Sequence, residues 1–138
     1  MQNLDFRIWD KSEGVMLQVK SIAFAKEFKK DFVRALCLDE YGLDKIIDTR
    51  AGSDIDVMEW TKNTDKNNVK IFRNDILKFK TRFGSGTHTG QVVYHKGGCE
   101  YLVECEREIF FRFYNIADYE VVGNIYEGIK EIREVCCV

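Results

Sequence analysis

The chain has 138 residues, enough to bury roughly 68–70% of its unfolded surface, so no metal or disulfide is needed for folding. Hydrophobic residues make up 45% and charged residues 32%, the mix of a soluble globular protein and too apolar for a disordered one. A net charge of −2 argues against broad electrostatic capture of nucleic acid or anionic membrane. No apolar run approaches the ~18 residues of a membrane span, and the opening MQNLDFRIWDK is no signal peptide. Cys37, Cys99, Cys105, Cys136 and Cys137 are irregularly spaced, which predicts reduced thiols in a cytoplasmic protein. Proline is absent, so turns must rely on Gly, Asn and Asp.

Residues 4–24 read as a hairpin. Phe6, Ile8, Val15, Leu17 and Val19 alternate with polar neighbours, and DKSEG supplies the turn. Residues 22–36 are ambiguous: Phe24, Phe28, Phe32 and Leu36 recur every four residues as in an amphipathic helix, yet EFKKD can equally turn between two strands. Two short strands or turns follow, with RAGSD as a loop. The polar run TKNTDKNNVK (61–70) reads as turns and as the seam between an N-terminal unit, 1–60, and a C-terminal unit, 61–138.

From Ile71 the pattern is β. DILKFK, QVVYH, CEYLVECE, IFFRFYN and YEVVGNIYE form five short strands with Gly-rich or charged turns, which indicates a small barrel or sandwich. In CEYLVECE, Cys99, Tyr101, Val103 and Cys105 share one face. The break after IFFRFYN is expected at IAD, and YEGIKEIREVCCV allows a short C-terminal helix with Ile129 and Ile132 inward.

Three stretches carry a family resemblance. FRIWDKSEGVM with VKSIAF, the central MEWTKNTDKNNVKIFRNDILKF, and the closing YEVVGNIYE resemble, in that order, the YopX family of phage and prophage proteins. The resemblance implies a mainly β protein with a C-terminal SH3-like small β-barrel, a smaller β-rich (or α+β) N-terminal unit, and strands rather than a helix over 22–36. It implies no catalytic residues. Two positions depart from the pattern, with Asn68 and Asn74 where the family places glycine. Asn tolerates the left-handed conformation, so the first turn is expected to survive, while a close backbone contact before Asp75 is in question.

GSGTHTG (84–90) lacks the Lys and the following helix of a phosphate-binding loop, and reads as a hairpin loop. KGGC likewise reads as a tight turn. Cys99 and Cys105 lie about 20 Å apart along a regular strand, and there is no C-x-x-C pair, so neither a metal site nor another cofactor is expected. Ser85 and His88 do not form a nucleophile elbow, and no enzymatic activity is expected.

The sequence offers one candidate surface. On IFFRFYN, regular alternation places Ile109, Phe111 and Phe113 inward and Phe110, Arg112 and Tyr114 outward; Lys78, Lys80 and Arg82 form a basic row beside the glycine loop. Aromatic and arginine side chains suit a protein interface or self-association, and nucleic acid is the alternative partner. The same features are met by packing within the chain or by edge-strand lysines.

Overall fold

The computed structural model describes residues 5–27, 30–50 and 54–129. The chain divides into two compact units, Met1–Trp60 and Thr61–Val138. Both are β, and the described residues contain no α-helix, hence none long and apolar enough to cross a membrane.

The first unit is an antiparallel sheet in the order β4-β3-β2-β1-β5. Its strands are β1 (Phe6–Asp10), β2 (Val15–Glu27), β3 (Lys30–Leu38), β4 (Asp44–Arg50) and β5 (Ile55–Thr64). Period-two patterning decides the buried face: Ile8, Leu17, Val33, Ala35, Cys37, Ile47 and Ile55 form one core. The DKSEG turn is held by Asp10, whose Oδ1 accepts the Ser12 N–H, Ser12 Oγ and Glu13 N–H. Gly14 closes it with φ +67°.

Residues 22–36 are strands where described. Phe24 lies opposite Val33, and Phe32 opposite Ala25. Phe24 and Phe32 thereby lie on opposite faces of the hairpin, so they do not share one helical face, while Phe28 and the centre of the expected EFKKD turn lie outside the described residues.

In the second unit, residues 61–64 of β5 lie beside β6 (Lys70–Phe72). Thr61 Oγ1 donates to the Ile71 carbonyl at 2.8 Å. The run expected to be all turns is therefore strand through Thr64, and the boundary between units falls inside β5. The turn itself is Asp65–Val69, with Asn68 at φ +63°.

The remaining strands are β7 (Asp75–Thr81), β8 (Thr87–His95), β9 (Glu100–Cys105), β10 (Ile109–Arg112), β11 (Ile116–Asn124) and β12 (Gly128–Ile129). They form one antiparallel sheet, β10-β9-β8-β7-β11-β12. Ile71, Leu77, Phe79, Val92, Val103 and Ile116 make its core. Single 3-10 turns, Glu106–Glu108 and Phe113–Asn115, flank β10.

Several expectations are corrected here. The sheet does not close into a barrel: among the described residues β10 and β12 stand at opposite ends of the ladder and do not pair with each other. The expected C-terminal helix lies largely outside the described residues, and Ile129 is a half-exposed residue of β12 rather than the inner side of a helix. IFFRFYN is not one strand: β10 stops at Arg112 and the chain turns at Phe113–Asn115, so the break precedes IAD, which opens β11.

Both departures from the glycine pattern are accommodated. Asn74 has φ +73°, and its N–H still donates to the Val92 carbonyl at 2.9 Å. Its side-chain oxygen accepts Gln91 Nε2 at 3.1 Å, a bond glycine could not make.

Candidate interaction cleft

β7 alternates strictly. Asp75, Leu77 and Phe79 are buried, which turns Ile76, Lys78 and Lys80 to the opposite face. Register places Lys78 between Thr89 and Glu120, and Lys80 between Thr87 and Ala117. The basic row is thus a face of mixed polarity with a carboxylate beside Lys78.

Past the end of β7, the Arg82 N–H donates to the Asn115 carbonyl at 3.0 Å, which fixes Arg82 against the 3-10 turn that follows β10. The same turn changes the direction of the chain after Arg112. Phe113 packs on the core, its ring edge-on to Tyr119 with centroids 5.6 Å apart, while Tyr114 is left 63% exposed.

An open cleft of about 550 Å³ results, with Arg82, Arg112 and Tyr114 on its lining together with Glu100, Tyr101 and Tyr119. Thr61 and Asn63 reach it from β5. Arg112 is oriented from two sides. Its Nη1 donates to the Tyr114 hydroxyl at 3.0 Å, its Nε lies 3.4 Å from Glu100 Oε1, and its guanidinium carbon is 5.9 Å from the Tyr114 ring centre. The Tyr114 hydroxyl and then the Glu100 carboxylate hold Arg112 still more firmly protonated than a free arginine. No carboxylate among the described residues pairs with Arg82.

Of the six residues marked in the sequence, three therefore converge and three do not. Arg82, Arg112 and Tyr114 share the cleft; Lys78, Lys80 and the 47%-exposed Phe110 lie outside its lining. The expected inward set also fails at Ile109, which is 53% exposed. Sequence reading missed Glu100, Tyr101, Phe113 and Tyr119 as cleft residues. Phe113 was visible as an inward position and Tyr101 as sharing a strand face with Val103, but their place at an open cleft depends on where β10 ends.

The other motifs are structural in this fold. β7 and β8 form a hairpin around residues 82–86, with Gly86 at φ +90°. Gly90 belongs to β8, not to the loop, and is buried so closely that a Cβ there would meet Val103 Cγ1 at 2.7 Å and the Glu104 carbonyl at 2.9 Å. The His88 ring packs on Phe79 and Phe111, with centroids 5.7 and 6.1 Å away. In KGGC, His95 Nδ1 accepts the Gly98 N–H at 3.0 Å. Among the described residues, no group of three or more His, Cys, Asp or Glu side chains could hold a metal ion.

Comparison with known proteins adds a family and a fold. The family model described as "YopX protein" matches residues 5–130. A solved structure, "Crystal structure of protein EF1440 from Enterococcus faecalis", is similar with a TM-score of 0.55 and 21% sequence identity, over 92% of this chain and 96% of that one. At that identity the likeness establishes a shared fold alone. No curated protein matches.

Proposed function

The chain belongs to the YopX family, and we propose that it is a non-enzymatic accessory protein of phage or prophage that acts in the host cytoplasm by engaging a protein partner at the cleft of its second unit. The observation that carries this is the joint placement of Arg82, Arg112, Tyr101 and Tyr114 around one open cleft. Tyr and Arg are among the residues that most often anchor protein interfaces, Tyr by adding rigid contact area and Arg by donating directed hydrogen bonds. Arg112 is already oriented by Tyr114 and Glu100, which lowers the ordering cost of binding. The second unit is read as SH3-like in strand order: a 3-10 turn leads from β10 into β11, which returns beside β7.

Nucleic acid is the second reading, favoured by Lys78 and Lys80 on the strand that leads to Arg82. Glu100 inside the cleft and Glu120 beside Lys78 weigh against it, because each would repel a phosphate.

The test is Tyr114→benzoylphenylalanine in the full chain, photolysed inside a bacterial host carrying the cognate phage or prophage. A defined protein adduct at position 114, absent when Tyr41 is replaced instead and lost on Arg82→Ala, supports the proposal. A nucleic-acid adduct supports the second reading. No adduct at position 114 overturns both.

A further inference from the structure

The outermost strands of the two sheets differ in how they are protected. β4 carries Asp44, Lys45, Asp48 and Arg50 within seven residues, and Lys45 turns inward to Asp10 at 3.1 Å. Charges on an edge, and inward-pointing ones above all, block the approach of another strand. β6 has three residues, too few to template pairing. β10 has neither defence: Ile109, Phe110 and Phe111 precede its single charge, Arg112, and Ile109 and Phe110 are about half exposed.

Among the described residues, no backbone group outside β9 bonds to the peptide groups of Phe110 or Phe111. In an antiparallel pair, neighbouring residues alternate between exchanging both bonds with the partner and turning both groups away. One of these two residues therefore presents an N–H and a carbonyl on the open side. The strand then runs into the cleft at Arg112, where Arg82 has a guanidinium and no carboxylate partner among the described residues.

The geometry points to strand addition: the partner's segment is extended, pairs with the free edge of β10 through its backbone, and places an Asp or Glu side chain on Arg82. Backbone pairing supplies affinity, and the acidic residue fixes register. Its apolar side chains lie against Ile109 and Phe110. Lys-rich segments are rejected, because Arg82 would then face a like charge. The inference rests on the cleft being the partner site.

The experiment uses a random library of short peptides panned on the full chain, followed by N-methylation of each backbone amide of the best binder. Strand addition predicts three results. Selected peptides share an acidic residue among β-branched ones. Arg82→Ala weakens binding by about tenfold or more. N-methylation abolishes binding at every second amide only, the period of a paired strand. Binding that needs Arg82 and Tyr114 but shows no period of two overturns strand addition and leaves the cleft standing. Failure to enrich any peptide, or binders indifferent to both residues, overturns the inference and the cleft together. Dimerisation of the chain that blocks peptide binding and is lost on Phe110→Lys replaces the partner segment by a second β10 and overturns the acidic specificity.

Discussion

The Val121 backbone N–H donates to Asp65 Oδ2 at 2.9 Å, tying the turn after β5 to the middle of β11. The other oxygen of the same buried carboxylate accepts the Asn67 and Val69 N–H groups at 2.8 and 2.9 Å. Asp65 thus satisfies three backbone donors that the sheet ladder leaves unpaired, and it does so next to the β11 irregularity at Val121–Gly123.

Hydrogen bonds to a charged group contribute roughly 1.5–3 kcal/mol each, less where water can replace them. Asp65→Ala is expected to cost about 3 kcal/mol in urea unfolding, as a lower midpoint with an unchanged slope. Asp65→Asn is expected to cost nearly as much, because its amide must face the turn or Val121 with a donor against a donor. A near-neutral Asp65→Asn would show that the Val121 bond contributes little.

Two glycines are needed for space, and Gly123, at φ +159°, for its backbone conformation as well. At Gly90 a Cβ meets Val103, Glu104 and Cys105, and at Gly123 it runs into the Gly128 carbonyl. Each Ala variant is expected to lose roughly 1–3 kcal/mol, the usual cost of overpacking, read from thermal unfolding.

Asp10 gives the first unit a dependence on acid. Burial alone would raise its carboxyl, but the Ser12 hydroxyl, the Lys45 ammonium and the Glu13 N–H outweigh burial and hold it below its ordinary value of 3.8. A depressed native value means that Asp10 contributes stability fully above 3.8, and that this is lost as pH falls through the lowered native value. Asp10→Asn should therefore be less stable than wild type at neutral pH, with the gap closing below about pH 4. A gap that is constant with pH would remove the carboxylate from the explanation.

Thiol reactivity should separate three cysteines. Burial raises the Cys37 and Cys105 thiols, the latter further beside Glu106, whereas Cys99 is exposed in its turn. Brief treatment of the native protein with N-ethylmaleimide, read by peptide mass spectrometry, should label Cys99 well before Cys37 or Cys105. Equal labelling of Cys37 would mean that β3 opens readily.

The cleft side chains are expected to matter for binding and not for folding. Arg112→Ala and Tyr114→Phe remove an exposed bond and ion pair, so the unfolding midpoint should stay close to that of wild type. The adduct at the cleft should weaken with Arg112→Ala. A larger loss of stability would make this pair a structural brace.

Much of the fold is written locally. Alternation in β1, β2 and β7 is a period-two signal that burial of one face simply reads out, whereas β9 buries the adjacent Leu102 and Val103 from both faces. The family resemblance placed strands over 22–36 where aromatic spacing suggested a helix. Turn chemistry was equally legible: Asn68 stands at a left-handed position that the Asp-Lys-Asn run announces. Asn74, by contrast, was legible as a departure but not as a solution, since its bond to Gln91 joins residues 17 apart in sequence.

Tertiary structure alone decided the cleft. Whether β10 continues through Tyr114 or turns at Phe113 depends on Phe113 reaching Tyr119 and on Arg82 bonding to Asn115, contacts between strands distant in the chain. Alternation within IFFRFYN carries no information about either contact. The sequence by itself determined a mainly β chain of the YopX pattern, with the turns at DKSEG, Asp65–Val69 and KGG in place. Long-range pairing determined that Arg82, Arg112 and Tyr114 meet while Lys78, Lys80 and Phe110 do not, because convergence is a property of register between strands and not of spacing along one.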